Sequence, residues 1–313
     1  RRFLKPEDYS TPVEHLSYGE YQALPGDVRT KLCDEGATYL EQREAGISTD
    51  INARHAFRPR LRQTTRADAR RALGGKPGRP LAVIYAHVWF DFPHTFAMSN
   101  FTDFLDWMRF TIEHIRKLKG VDWVLKPHPT EHWYGGFRLE DILDDLPPHV
   151  RIAPDATDSL TTMLAADTVI TVHGTVALEA AAHGLAVIAA DRSYYGDWPF
   201  AKVASSREDY ARLLTLIDRQ QPIEPEVRAA AAACFVAALG QPSATDGRLS
   251  LRCDSLTTEL YGDVLSLLES GRENLLTERN RIKQWLESGK GSYAVHCLLE
   301  GAGQISRRSI LTA

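Results

Sequence analysis

The stretch that most restricts what this chain can fold into runs from Val121 to Asp191. It opens with an apolar run, Val121-Asp122-Trp123-Val124-Leu125, that ends on a charged corner, Lys126-Pro127-His128-Pro129-Thr130-Glu131. From Asp167 onward the pattern reads strand, tight turn, helix, strand. A β-branched run comes first, then Gly174 and Thr175 where a turn and an N-cap belong. An Ala-rich segment follows, then Gly184 as a helix stop before another apolar run ending at Asp191. Polar residues sit at the ends of both strands, which is where open parallel sheets hold their ligand crevice.

The same alternation extends on either side. Leu81–Val88 reads as a first buried strand. An aromatic loop follows it, then an amphipathic helix over 100–118 with Phe101, Phe104, Leu105, Met108, Ile112 and Ile115 at helical spacing. Strands are expected at 121–126, 150–153, 168–172 and 186–190, and helices at 137–145, 157–165, 175–183 and 207–218. This order predicts an α/β fold, a Rossmann-like parallel sheet with helices on both faces, over residues 75–220. Residues 1–74 read as a helical segment. Residues 221–313 read as a helical region, with helices at Glu226–Leu239, Ser255–Leu267 and Glu273–Leu286.

Composition excludes several classes. A net charge of -4 gives no basic excess for a nucleic-acid surface. The four cysteines, Cys33, Cys234, Cys253 and Cys297, show neither metal nor disulfide-framework spacing, so reduced thiols in a cytoplasmic protein are expected. No apolar run approaches the roughly eighteen residues that span a bilayer. Contact with the inner membrane face stays open. The seven arginines between Arg54 and Arg71 are expected to form a solvated face and connector, with an anionic acceptor or phospholipid as the other possibility. There is no Walker loop, no GxGxxG after a strand, no HExxH and no Asp-x-Asp for a metal on a sugar diphosphate, so no cofactor or metal is expected.

Three constellations can carry chemistry. In Lys126-Pro127-His128-Pro129 the prolines stiffen the backbone on either side of an imidazole that can donate to a phosphate oxygen; in isolation the motif is also a capped strand end. In Thr171-Val172-His173-Gly174-Thr175 the glycine permits a sharp turn. Thr175 and the first helix amides form an anion site, and Glu179 lies one turn on, where a carboxylate can accept from ribose hydroxyls. The third is Asp91, between Phe90 and Phe92 at the end of the first strand. It is read either as a partly desolvated base or nucleophile, or as a turn residue capping a loop amide. His87 reads as a core residue, and His94 as a loop histidine able to reach an anion.

On the motifs ending at Asp91, Glu131 and Glu179, the segment from Leu81 to Tyr210 resembles GT-B-type glycosyltransferases of bacterial capsule and O-antigen assembly. It is most similar to β-Kdo transferases and more distantly similar to bacterial sialyltransferases. The resemblance implies a nucleotide-sugar donor, CMP-Kdo, and a lipid-linked glycan acceptor. It places His128 on the CMP phosphate and Gly174 and Thr175 on the turn that holds CMP. It makes Asp91 the catalytic aspartate, with an aspartyl-sugar adduct. Lys126, His173 and Glu179 complete the expected donor site, the sheet becomes one GT-B half, and residues 1–74 become a remnant of the acceptor side. Two other functions remain open: transfer of a phosphoribosyl or glycerol-phosphate group to a surface polymer, and non-catalytic nucleotide binding in an assembly module.

Overall fold

The computed structural model describes residues 2–4, 17–47, 51–62, 65–91, 98–131, 133, 138–143, 145–154, 157–240, 247–252, 272–287 and 292–300. In chain order the elements are β1 (Arg2–Leu4), α1 (Tyr18–Ala23), α2 (Gly26–Glu44), α3 (Ile51–Ala56), α4 (Arg66–Ala72), β2 (Leu81–Tyr85), α5 (Phe104–Ile115), β3 (Asp122–Lys126), β4 (Val150–Ile152), α6 (Ser159–Ala165), β5 (Thr168–Thr171), α7 (Val176–Ala182), β6 (Ala186–Ala189), β7 (Lys202–Val203), α8 (Arg207–Leu214), α9 (Pro225–Gly240), β8 (Gly247–Arg252), α10 (Arg272–Glu287) and β9 (Ser292–Glu300). The chain divides into two compact units, Val13–Leu239 and a second made of Arg1–Pro12 with Gly240–Ala313.

The larger unit holds a six-stranded sheet in the order β4-β3-β2-β5-β6-β7, with every neighbouring pair parallel. Strands β2, β3, β5 and β6 are buried along their whole length. That explains why they read as continuous apolar runs and not as alternating ones: both faces are covered by helices. On one face, Phe104, Trp107, Met108, Ile112 and Ile115 of α5 and Tyr210, Leu213 and Leu214 of α8 share a core with Ala82, Ile84, Trp123, Leu125 and Ile170. On the other, the Tyr85 hydroxyl donates to the Ser159 carbonyl of α6 at 3.0 Å. The chain leaves β2 toward β3 and β4, then returns to the opposite side of β2 with β5. The junction of β2 and β5 is therefore the switch point at which such sheets open a crevice.

Helix α2 is more than a flanking connector. Its buried residues are Leu32, Gly36, Leu40 and Arg43, one stripe at helical spacing. A methyl group at Gly36 would run into the Ala232 carbonyl of α9, so glycine is what allows the two helices to approach. Tyr39 then meets Phe235 of α9 with ring centroids 5.3 Å apart.

Three local expectations need correction. The helix expected over 137–145 is only a 3-10 turn, Leu139–Ile142, so Asp145 does not close a helix; it adopts a left-handed φ of 50°, and Pro147 and Pro148 follow after Leu146. A short strand, β7, precedes α8. The carboxy-terminal region is not wholly helical: β9 pairs antiparallel with β1 and parallel with β8, with α10 beside β8. Period-two alternation at Tyr293, Val295, Cys297 and Leu299 marks β9, whereas β1 is three residues long and takes its strand character from its partner. The helix expected at Ser255–Leu267 lies outside the described residues.

Candidate functional site

The parallel register sets up the site. Tyr85 pairs with Lys126 on one side and with Thr171 on the other, so the three central strands end at one level. Two residues beyond each of those positions the sequence places a histidine: His87, His128 and His173. The rings converge, with His87 stacked 6.2 Å from His128 and edge-on 5.1 Å from His173. Phe104 closes the group from α5, 4.1 Å from the His87 ring and 5.4 Å from that of His173.

The three histidine rings form part of the wall of a cleft of about 390 Å³ that includes every residue expected from the sequence: Asp91, Lys126, His128, His173, Gly174, Thr175 and Glu179. His128 is well defined. Its Nδ1 accepts from the Thr130 backbone amide at 3.3 Å and lies 3.0 Å from the Thr130 hydroxyl. A backbone N–H can only donate, so the neutral imidazole carries its proton on Nε2. Pro127 and Pro129 fix the corner from which it projects. Lys126 Nζ donates to the Thr157 carbonyl at 3.0 Å, which holds the ammonium at the cleft wall.

His173 is buried, and burial together with the neighbouring His87 pushes its pKa down to about 3. Burial likewise lowers that of His87, whose Nδ1 accepts from the Val88 amide at 3.0 Å. Both rings are therefore neutral at physiological pH, and the fixed charge of the cleft comes from lysine, arginine and carboxylate groups. His87 was expected in the core; the missed signal is the same two-residue step past the strand end in Tyr85-Ala86-His87, Lys126-Pro127-His128 and Thr171-Val172-His173.

Three expected features differ in detail. Asp91 is not desolvated: its side chain is 49% exposed and its carboxylate stands 3.9 Å from His87 Nδ1. Of its two aromatic neighbours, Phe90 is itself 41% exposed and Phe92 lies outside the described residues. Thr175 is not a side-chain N-cap. It already has helical angles, φ -61° and ψ -20°, and its hydroxyl makes no capping bond. The Gly174 amide is taken by the Thr171 hydroxyl at 3.1 Å, so it is not part of an open anion cradle. A Cβ at Gly174 would stand 2.8 Å from that hydroxyl oxygen, which accounts for the glycine. Third, Glu179 faces the cleft while gripped by Arg43, whose Nε and Nη2 lie 2.9 and 2.8 Å from Oε1. His94 lies outside the described residues.

Residues 17–62 contribute a wall the sequence reading missed: Arg43, His55 and Arg58 all line the cleft. The Arg58 amide donates to Asp158 at 2.6 Å, and the His55 ring meets Trp133 edge-on at 5.3 Å. For Arg43 the sequence did carry a cue, since the buried stripe Leu32, Gly36, Leu40 ends on a charge. Most of the arginine-rich stretch is internally engaged, Arg62 with Asp158, Arg66 and Arg70 with Asp167, and Arg71 with Asp68. Among the described residues no three His, Cys, Asp or Glu side chains are arranged to hold a metal, and no helix is long and apolar enough to cross a membrane.

No protein-family model matches the chain, and no curated protein matches its sequence. Several solved structures are similar. Thermosulfurimonas dismutans KpsC, beta Kdo 2,4 transferase, aligns at 16% identity over 70% of this chain and 58% of its own, with a TM-score of 0.44. The beta Kdo 2,7 transferase of the same KpsC aligns at 17% identity over 62% of this chain and 57% of its own, with a TM-score of 0.35. The wall teichoic acid polymerase TagF aligns at 11% identity over 63% and 46%, with a TM-score of 0.34. The chain thus spans little more than half the length of either KpsC transferase.

Proposed function

We propose that the cleft binds a nucleotide-sugar and that the protein is a glycosyltransferase, moving a sugar, Kdo from CMP-Kdo, onto a lipid-linked capsule or O-antigen glycan. The observation that carries this reading is the level ending of three parallel strands at the switch point, which sets His128 with its Nε2 proton beside Lys126 at the cleft wall. A hydrogen-bond donor and a fixed cation at a strand end suit a phosphate that gains charge as the bond to the sugar breaks. Glu179 suits ribose hydroxyls, because an ionised carboxylate accepts hydrogen bonds and donates none. His173, neutral, closes the crevice without adding charge.

In this reading Asp91, half-exposed at the cleft, attacks the anomeric carbon while the carbon–oxygen bond to phosphate breaks and CMP leaves. The acceptor hydroxyl then displaces the carboxylate, which returns to its ionised form, and the hydroxyl proton passes to solvent water. Its exposure suits a residue that must meet an acceptor arriving from solvent.

The test is mass analysis of the product formed from CMP-Kdo and a lipid-linked glycan primer. A product heavier by one Kdo, absent with Asp91→Asn, supports the assignment. A phosphorus-containing product formed from a phosphoribosyl or glycerol-phosphate donor moves the protein to the second class of transferase. Nucleotide binding with no donor consumed moves it to a binding module.

A further inference from the structure

The Arg43–Glu179 pair joins two parts of the chain that the sequence separates by 136 residues. Both side chains are 5% exposed, and both line the cleft. Arg43 also lies over the Phe235 ring at 5.1 Å and the Tyr39 ring at 5.7 Å, so its guanidinium has a fixed plane. One residue on, Glu44 meets His183 at 2.5 Å. Glu179 and His183 stand one turn apart at α7, the helix that starts at the Gly174-Thr175 corner. The end of α2 therefore grips α7 at two successive turns, and only the first grip reaches the cleft.

A buried carboxylate without a partner takes up a proton or recruits water, and its rotamer is undetermined. Two guanidinium N–H groups on the same oxygen keep it ionised and fix its direction. Resting on the donor-site reading above, we propose that Arg43 is a positioning residue for nucleotide recognition: it holds Glu179 so that the carboxylate accepts from the vicinal hydroxyls of the donor ribose. The amino-terminal helical segment is then part of the donor site and not a remnant of the acceptor side. The chemical class recognised is a ribonucleotide, as distinct from a deoxynucleotide or a free phosphate.

The test compares binding of CMP and 2′,3′-dideoxy-CMP by calorimetry, with thermal unfolding recorded on the same samples. The unaltered protein is expected to prefer CMP by about ten- to a hundredfold, the worth of hydrogen bonds to a charged group. Arg43→Lys keeps the charge but not the two-point grip, and the preference should fall below about threefold. Glu44→Gln removes the second grip, which does not reach the cleft, and should leave the preference intact. A purely structural role for Arg43 would lower the melting temperature and weaken both ligands alike, with the ratio preserved; that result overturns the inference. If Arg43→Lys does not fold, Glu179→Gln takes its place, and retention of the preference in that variant overturns it equally. CMP bound without any preference by the unaltered protein defeats this inference alone, whereas no CMP binding defeats the donor-site reading as well.

Discussion

The two ends of the parallel sheet use charge in opposite ways. At the amino ends of the strands, Asp167 accepts from the Leu81 amide at 2.8 Å and from Arg66 and Arg70 at 2.6 and 2.9 Å. Asp122 is buried there, accepting from the Lys76 amide at 2.8 Å with Arg79 at 3.2 Å. These contacts join the strand starts to one another and to a neighbouring loop or helix, and that end is tied shut. At the carboxyl ends, the corresponding positions hold histidines, a lysine and a carboxylate around a cleft of about 390 Å³. The difference separates two environments: groups at the closed end tie neighbouring elements together, and groups at the open end line the cleft. This follows from strand direction, since the carboxyl ends at a switch point are where the connecting loops diverge.

The comparison breaks most readily at His128. His128→Ala should cost about a hundredfold in the rate of sugar transfer, the usual effect of removing one preorganised donor, with little change in melting temperature. Asp167→Ala should do the reverse: it leaves the Leu81 amide without its acceptor and takes the ion-pair partner from Arg66 and Arg70, which keep their backbone carbonyls, at a cost of about 1–3 kcal/mol with nucleotide binding unaffected. Urea denaturation of both variants beside ligand titration distinguishes the roles. A large stability loss at His128 with no binding loss would mean that the open end is structural too.

A smaller effect sharpens the same contrast through pH. The folded pKa of His173 is about 3, below the ordinary 6.5 of the unfolded chain, because burial disfavours the charged ring. Between those values the unfolded state binds more protons, so stability is fully present above about pH 6.5 and is lost as pH falls toward 3. His87 is lowered for the same reason and acts in the same direction. The denaturation midpoint should fall as pH drops below about 6.5, and His173→Asn should flatten that slope. Smallest of all, Arg71→Ala removes an ion pair whose arginine is 77% exposed, and should change stability by less than about 1 kcal/mol.

How much of this was legible in the sequence differs along the chain. The strands β2, β3, β5 and β6 were readable because burial on both faces makes each a continuous apolar run. Gly184 marked the end of α7 within a residue. The open end was readable as three separate motifs because polar residues interrupt those runs at the strand ends. What local pattern could not supply was register: the meeting of His87, His128 and His173 depends on the pairing of Tyr85 with Lys126 and Thr171. Nor does local pattern assign a partner to Arg43, since Glu179 is 136 residues away. The exposure of Asp91 was not legible for a different reason. Flanking aromatic residues suggest desolvation only if they pack over the carboxylate, and here Phe90 points to solvent.

The measurement that bears most directly on the open cleft as a nucleotide site is calorimetric titration of the unaltered protein, His128→Ala and Asp167→Ala with CMP, UDP and phosphoribosyl diphosphate, with and without magnesium. The expected result is CMP binding that is indifferent to magnesium, unchanged in Asp167→Ala and about ten- to a hundredfold weaker in His128→Ala. Binding that survives His128→Ala but disappears with Asp167→Ala, or no binding of any of the three, would contradict the assignment of the ligand site to the carboxyl ends of the strands.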